Sequence, residues 1–123
     1  MSVVVRLFCV GYGVLLTILL LVPDPWALLG MKRYAGSAPT LGVHGSLFCG
    51  LAVLVLASRW PLSSRCTLVI LGGYAVLVEA LQSLVPERSV EPRDFLENFL
   101  GLLVGTGVYW GVRRCLRRLR AAR

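Results

Sequence analysis

Residues 79–105 read EALQSLVPERSVEPRDFLENFLGLLVG. Two apolar segments meet there at a short polar turn, and both carry ionisable or amide side chains inside them: Glu79 and Gln82 ahead of Pro86, Asp94 and Asn98 behind Pro92. A carboxylate near the centre of a membrane helix costs about 2.5–3.5 kcal/mol on insertion scales. Glu79 therefore marks a functional site, with Gln82, Arg88, Asp94 and Asn98 as its nearest company.

The membrane setting follows from composition. Hydrophobic residues make up 57% of the 123 and the mean hydropathy is +0.78, which points to an integral membrane protein with room for one domain. Four apolar blocks, 3–22, 41–58, 66–85 and 95–112, each approach the roughly 20 residues that cross about 30 Å of hydrocarbon. The expected fold class is all-α, a single-domain four-helix transmembrane bundle.

Charge sets the expected orientation. Six of the thirteen basic residues are arginines in the last eleven positions, RRCLRRLRAAR, so the net charge of +7 reads as a basic cytoplasmic tail over 113–123 and not as a nucleic-acid surface. With four spans the amino terminus is also inside. Nine Lys/Arg (Arg6, Arg59, Arg65 and the six of the tail) then face the cytoplasm, against Lys32, Arg33, Arg88 and Arg93 outside, in accord with the positive-inside rule. The expectation is N-in, C-in. Attraction to anionic lipid is enough to explain the tail, and membrane lipid is the partner composition implies.

Cys9, Cys49, Cys66 and Cys115 lie in or beside different spans without CxxC spacing, so no metal site, cofactor or disulfide framework is indicated and they read as small apolar fillers. The first span ends at Pro23-Asp24-Pro25-Trp26 with no small-residue cleavage site, and reads as a retained helix. Residues 23–39 read as an interfacial loop, with Trp26 and Tyr34 at the outer interface and Lys32-Arg33 either near headgroups or simply solvated.

Helical geometry gathers the polar residues. Glu79 and Gln82 lie within about 60° of each other on one face, and Asp94, Asn98, Gly101 and Gly105 share a face of the fourth span. With Pro86 and Asp94 as outer ends, Gln82 and Asn98 sit roughly 6 Å below the rim, and Glu79 and Gly101 roughly 10 Å below it. A hairpin would then pair Gln82 with Asn98 in one layer and Glu79 with a glycine gap in the next. His44, the only histidine, enters the same depth from the second span. Gly101-xxx-Gly105 and Gly107-xxx-Gly111 would both let a neighbouring backbone approach.

Each member also has a plainer reading. Asp94 suits the positive end of the fourth helix, Glu97 reads as a solvated neighbour, Gln82 and Asn98 as hydrogen-bonding glue between helices, and His44 as a hydrogen-bonded interhelical residue. Glu79 is hardest to explain that way, because desolvation disfavours a charged carboxylate unless Arg88 or His44 reaches it. Arg88, at the mouth, suits a carboxylate or phosphate by its fork geometry.

At these residues the chain resembles the VanZ-like family of small membrane proteins, named for a member associated with reduced susceptibility to the glycopeptide teicoplanin. The family pattern places Glu, then Gln three residues on, Pro and a following Arg, Asp six residues after the Arg, Asn four later, and Gly-xxx-Gly. Glu79, Gln82, Pro86, Arg88, Asp94, Asn98, Gly101 and Gly105 stand at those spacings. His44 followed by Phe48 resembles the family's second motif, whose usual Asp-Lys pair is replaced by Thr40-Leu41. The resemblance implies a bacterial inner-membrane protein with a ligand-binding set of Glu79, Gln82, Arg88, Asp94, Asn98 and His44, and a lipid-linked or glycopeptide-like envelope ligand as partner. It implies no reaction. Two other readings stand beside it: a membrane enzyme on an envelope lipid or glycan, with Glu79 or Asp94 as acid or base, and a small structural subunit whose polar layer only sets helix register.

Overall fold

The computed structural model describes residues 2–22, 42–86 and 92–122. Every regular element among them is a helix: α1 (Ser2–Leu21), α2 (Val43–Ala57), α3 (Ser64–Gln82) and α4 (Pro92–Ala121). The interfacial loop with Trp26, Lys32-Arg33 and Tyr34, the Thr40-Leu41 pair and Arg88 lie outside the described residues.

The all-α expectation holds. By length and composition α1, α3 and α4 are each sufficient to cross a membrane. The second expected span is shorter than its apolar block: α2 has 15 residues, about 22 Å of rise. Its start is set by Gly42, whose φ of 86° is a left-handed conformation that glycine adopts without steric cost. α3 stops at Gln82, and residues 83–86 continue as turns because proline disfavours helical geometry in the residue before it. α4 runs 30 residues, so most of the expected basic tail is a continuation of the helix.

Hydrogen bonds fix the arrangement. Arg6 near the start of α1 reaches the end of α2, and Tyr12 Oη donates to the Leu47 carbonyl of α2 at 2.9 Å. Thr17 Oγ1 shares a hydrogen bond with Tyr74 Oη of α3 at 2.8 Å. Neighbours in sequence thus alternate in direction, with α1 parallel to α3 and α2 parallel to α4. Leu16, Leu20, Phe48, Leu51, Ala52, Leu71, Ala75, Val78 and Leu102 form the buried core. Phe8 (70% exposed), Val69 (75%) and Leu103 (65%) face outward, a surface suited to lipid.

The closest helix pairing is α2 with α4, and small residues make it. A Cβ on Gly101 would run into the Gly45 backbone carbonyl, and one on Gly105 into the Cys49 carbonyl. The glycine gap therefore receives the α2 backbone instead of facing Glu79, as small-residue interfaces do in membranes. A Cβ on Gly107 or Gly111 would meet nothing within 4 Å, so that second pair is not part of the interface.

Both ends of the short α2 are closed by side chains from other helices. At its start Glu97 Oε2 of α4 accepts from the Gly42 N–H at 3.0 Å, while Arg93 Nε lies 3.4 Å from Glu97 Oε1. At its end Arg6 of α1 donates to the Ser58 carbonyl at 3.4 Å and to the Arg59 carbonyl at 3.1 Å, and its guanidinium stacks 5.0 Å from the Trp60 ring centre. An acid at the N-terminus and a base at the C-terminus also complement the helix dipole. Arg59, at φ 49°, takes the left-handed position that usually ends a helix with glycine. Glu97 is accordingly a bridge between α4 and α2, not the solvated neighbour its position suggests.

Candidate functional site

The site stands where α2, α3 and α4 meet. α3 presents Glu79 one turn before its end, and α4 presents Asn98 two turns after its start; the residues are 5% and 0% exposed. Asn98 Nδ2 donates to Glu79 Oε1 at 2.7 Å. From α2, His44 Nδ1 lies 3.9 Å from the same Glu79 oxygen, with the imidazole only 12% exposed. That separation exceeds a hydrogen bond, yet allows an ion pair when the ring is protonated. Among the described residues His44 Nδ1 and Asn98 Oδ1 are buried without a hydrogen-bond partner.

Glu79, Asn98 and His44 thus converge from three helices, and the expected pairing within that layer is corrected. Gln82 is buried, but its Nε2 donates to the Leu20 carbonyl of α1 at 2.8 Å, not to Asn98. Asn98 takes Glu79 instead. Pro92 opens α4, as a proline in a first helical turn suggests, so Asn98 lies roughly 3 Å deeper than with Asp94 as the outer end, while α3 ends at Gln82, only one turn past Glu79. Asp94 is half-buried in the first turn of α4, one turn above Asn98, where a carboxylate favours the positive helix end; it is not hydrogen-bonded to the cluster.

Chemically the cluster is a carboxyl group held by an amide and faced by an imidazole, next in sequence to the buried Val78 and one helical turn from the buried Phe48 and Leu102. Low local polarity strengthens such interactions. The unpartnered Asn98 Oδ1 can accept a hydrogen bond and the unpartnered His44 nitrogen can donate or accept one, according to its tautomer. Of the supporting residues, Glu97 at the head of α2 had no marking signal beyond its place one residue before Asn98. Arg6 read only as an orientation charge.

The VanZ/LLP1 family model matches residues 9–116. The chain belongs to that family. The VanZ/LLP1 match covers His44, Glu79, Gln82, Asp94 and Asn98 with the helices that position them, so the resemblance drawn from a 27-residue stretch extends to nearly the whole fold. The chain matches no curated protein and no solved structure.

Proposed function

We propose that this VanZ/LLP1 protein is a bacterial cytoplasmic-membrane protein that engages a lipid-linked or glycopeptide-like envelope ligand at Glu79, Asn98 and His44, with Gln82, Arg88 and Asp94 completing the site. The observation that carries the reading is the Glu79 carboxyl buried between the Asn98 amide at 2.7 Å and the His44 imidazole at 3.9 Å. Membranes tolerate such groups mainly where they serve a pathway, a ligand or a proton. N-in, C-in orientation would put the cluster near the outer leaflet. It is supported by the gathering of Arg6, Arg59, Arg65 and the arginines from Arg113 to Arg120 at the opposite end of the bundle, against Arg93 at the cluster end.

The test is teicoplanin susceptibility of a host expressing the protein, compared with Glu79→Gln and Arg88→Ala at equal membrane abundance. Loss of the protective phenotype in both variants supports the reading; unchanged susceptibility in both removes it. Acid–base catalysis on an envelope lipid is a second reading, favoured by an imidazole and a carboxyl facing each other at 3.9 Å in a buried setting, a separation that ligand-free sites often tighten on binding. Turnover by purified protein in lipid that disappears in Glu79→Gln would select it over binding alone.

A further inference from the structure

The far end of the bundle carries a cluster of arginines around open cavities. Arg59 and Arg113 line three adjoining cavities there. One, of about 260 Å³, is walled by Arg59, Arg113, Arg117 and Arg120 around Leu116. The next, of about 440 Å³, continues between α1, α2 and α4 along apolar side chains such as Val53, Val108 and Val112. A cationic chamber thus opens into an apolar groove, and the two share Arg59, Arg113 and Leu116.

Among the described residues these arginines have no acidic partner. The chain's six acids are Asp24, Glu79, Glu87, Glu91, Asp94 and Glu97; of the described ones, Glu79 meets His44, Glu97 meets Arg93, and none pairs with an arginine of this chamber. Arg113 is held in place, 3.5 Å from Tyr109 Oη and 5.2 Å from the Trp110 ring centre. Arg117 and Arg120 follow it at four and seven residues, on one helical face. At 30 residues, α4 is about 45 Å long, so its arginine end extends beyond about 30 Å of hydrocarbon into the headgroup region.

We propose that this chamber binds one anionic phospholipid, its phosphate among Arg59, Arg113, Arg117 and Arg120 and an acyl chain along the Val53, Val108 and Val112 groove. Guanidinium forks suit phosphate oxygens, and the groove supplies the apolar contact a soluble phosphate lacks. The site is separate from the Glu79 cluster, so either assignment can fail alone.

The experiment uses the full-length protein in nanodiscs of phosphatidylcholine with or without phosphatidylglycerol, with retained lipid counted by native mass spectrometry. Arg117→Gln with Arg120→Gln is compared with Arg114→Gln and Arg118→Gln, which remove equal charge from the same exposed helix end without lining the cavities. Wild type retains phosphatidylglycerol selectively; the first pair, which loses two charge-assisted contacts to the phosphate, lowers that retention about a hundredfold, and the second pair, which removes only diffuse surface attraction, lowers it several-fold less. Val112→Trp, which fills the groove and keeps the charge, lowers retention as well. Equal losses in both arginine pairs would reduce the site to diffuse attraction and overturn it. So would no preference for phosphatidylglycerol, or equal competition by glycerol phosphate.

Discussion

Asn98 Nδ2 donates to Glu79 Oε1 at 2.7 Å, joining α4 to α3 where both residues are buried. The bond links residues 19 apart in sequence and holds the one carboxyl that the membrane setting makes most costly. Removing it with Asn98→Ala is expected to destabilise the protein by about 1–3 kcal/mol, since the Glu79 carboxyl loses its amide donor in a buried setting. A double-mutant cycle with Glu79→Ala, read by denaturation in detergent, should return a coupling of about 0.6–2 kcal/mol.

Gly101 and Gly107 look alike in sequence and differ in the fold. Gly101→Ala drives a methyl into the Gly45 backbone carbonyl, which has no rotamer with which to yield, whereas Gly107→Ala meets open space. The first is expected to cost at least the 1–3 kcal/mol typical of overpacking and the second about nothing. Thermal unfolding of the two variants side by side measures the difference.

Glu97 and Arg6 close the two ends of α2 from outside it. Glu97→Ala should cost about 0.5–2 kcal/mol, the range for a lost N-terminal cap. Hydrogen exchange then rises at Gly42 and the following amides and stays unchanged at the Arg59 end. Arg6→Ala should release the opposite end, seen as greater mobility of Trp60 in fluorescence anisotropy.

Gln82 serves α1. Gln82→Leu keeps the apolar volume and removes the donor to the Leu20 carbonyl, at a cost of about 1 kcal/mol. A spin label on exposed Ile18 should become more mobile, with the Glu79–Asn98 bond retained.

Much of this arrangement was legible in the sequence because membranes make polar residues conspicuous. Glu79, Asn98 and His44 stand out from apolar surroundings, and helical spacing with simple depth arithmetic brings them to one region. Partner choice was less legible. Gln82 bonds a backbone carbonyl, which every residue possesses and which leaves no sequence signature. The Gly101 and Gly105 face was evident, but whether α2 or α3 would occupy it depends on three-dimensional packing. The contacts of Glu97 with Gly42 and of Arg6 with Ser58 and Arg59 span more than 50 residues, beyond any local pattern. The early end of α3 and the start of α4 at Pro92 shift the registry by about a turn, enough to exchange Asn98's partner.

The measurement that tests the central claim most directly is the infrared band of the Glu79 carboxyl in lipid, identified by its loss in Glu79→Gln. If Glu79 is held by Asn98 and faced by His44, the band shifts in Asn98→Ala and in His44→Ala and stays in place in Gln82→Leu. A band that ignores Asn98→Ala, or that moves as much in Gln82→Leu, would contradict a shared buried site and leave the carboxyl without the role assigned to it.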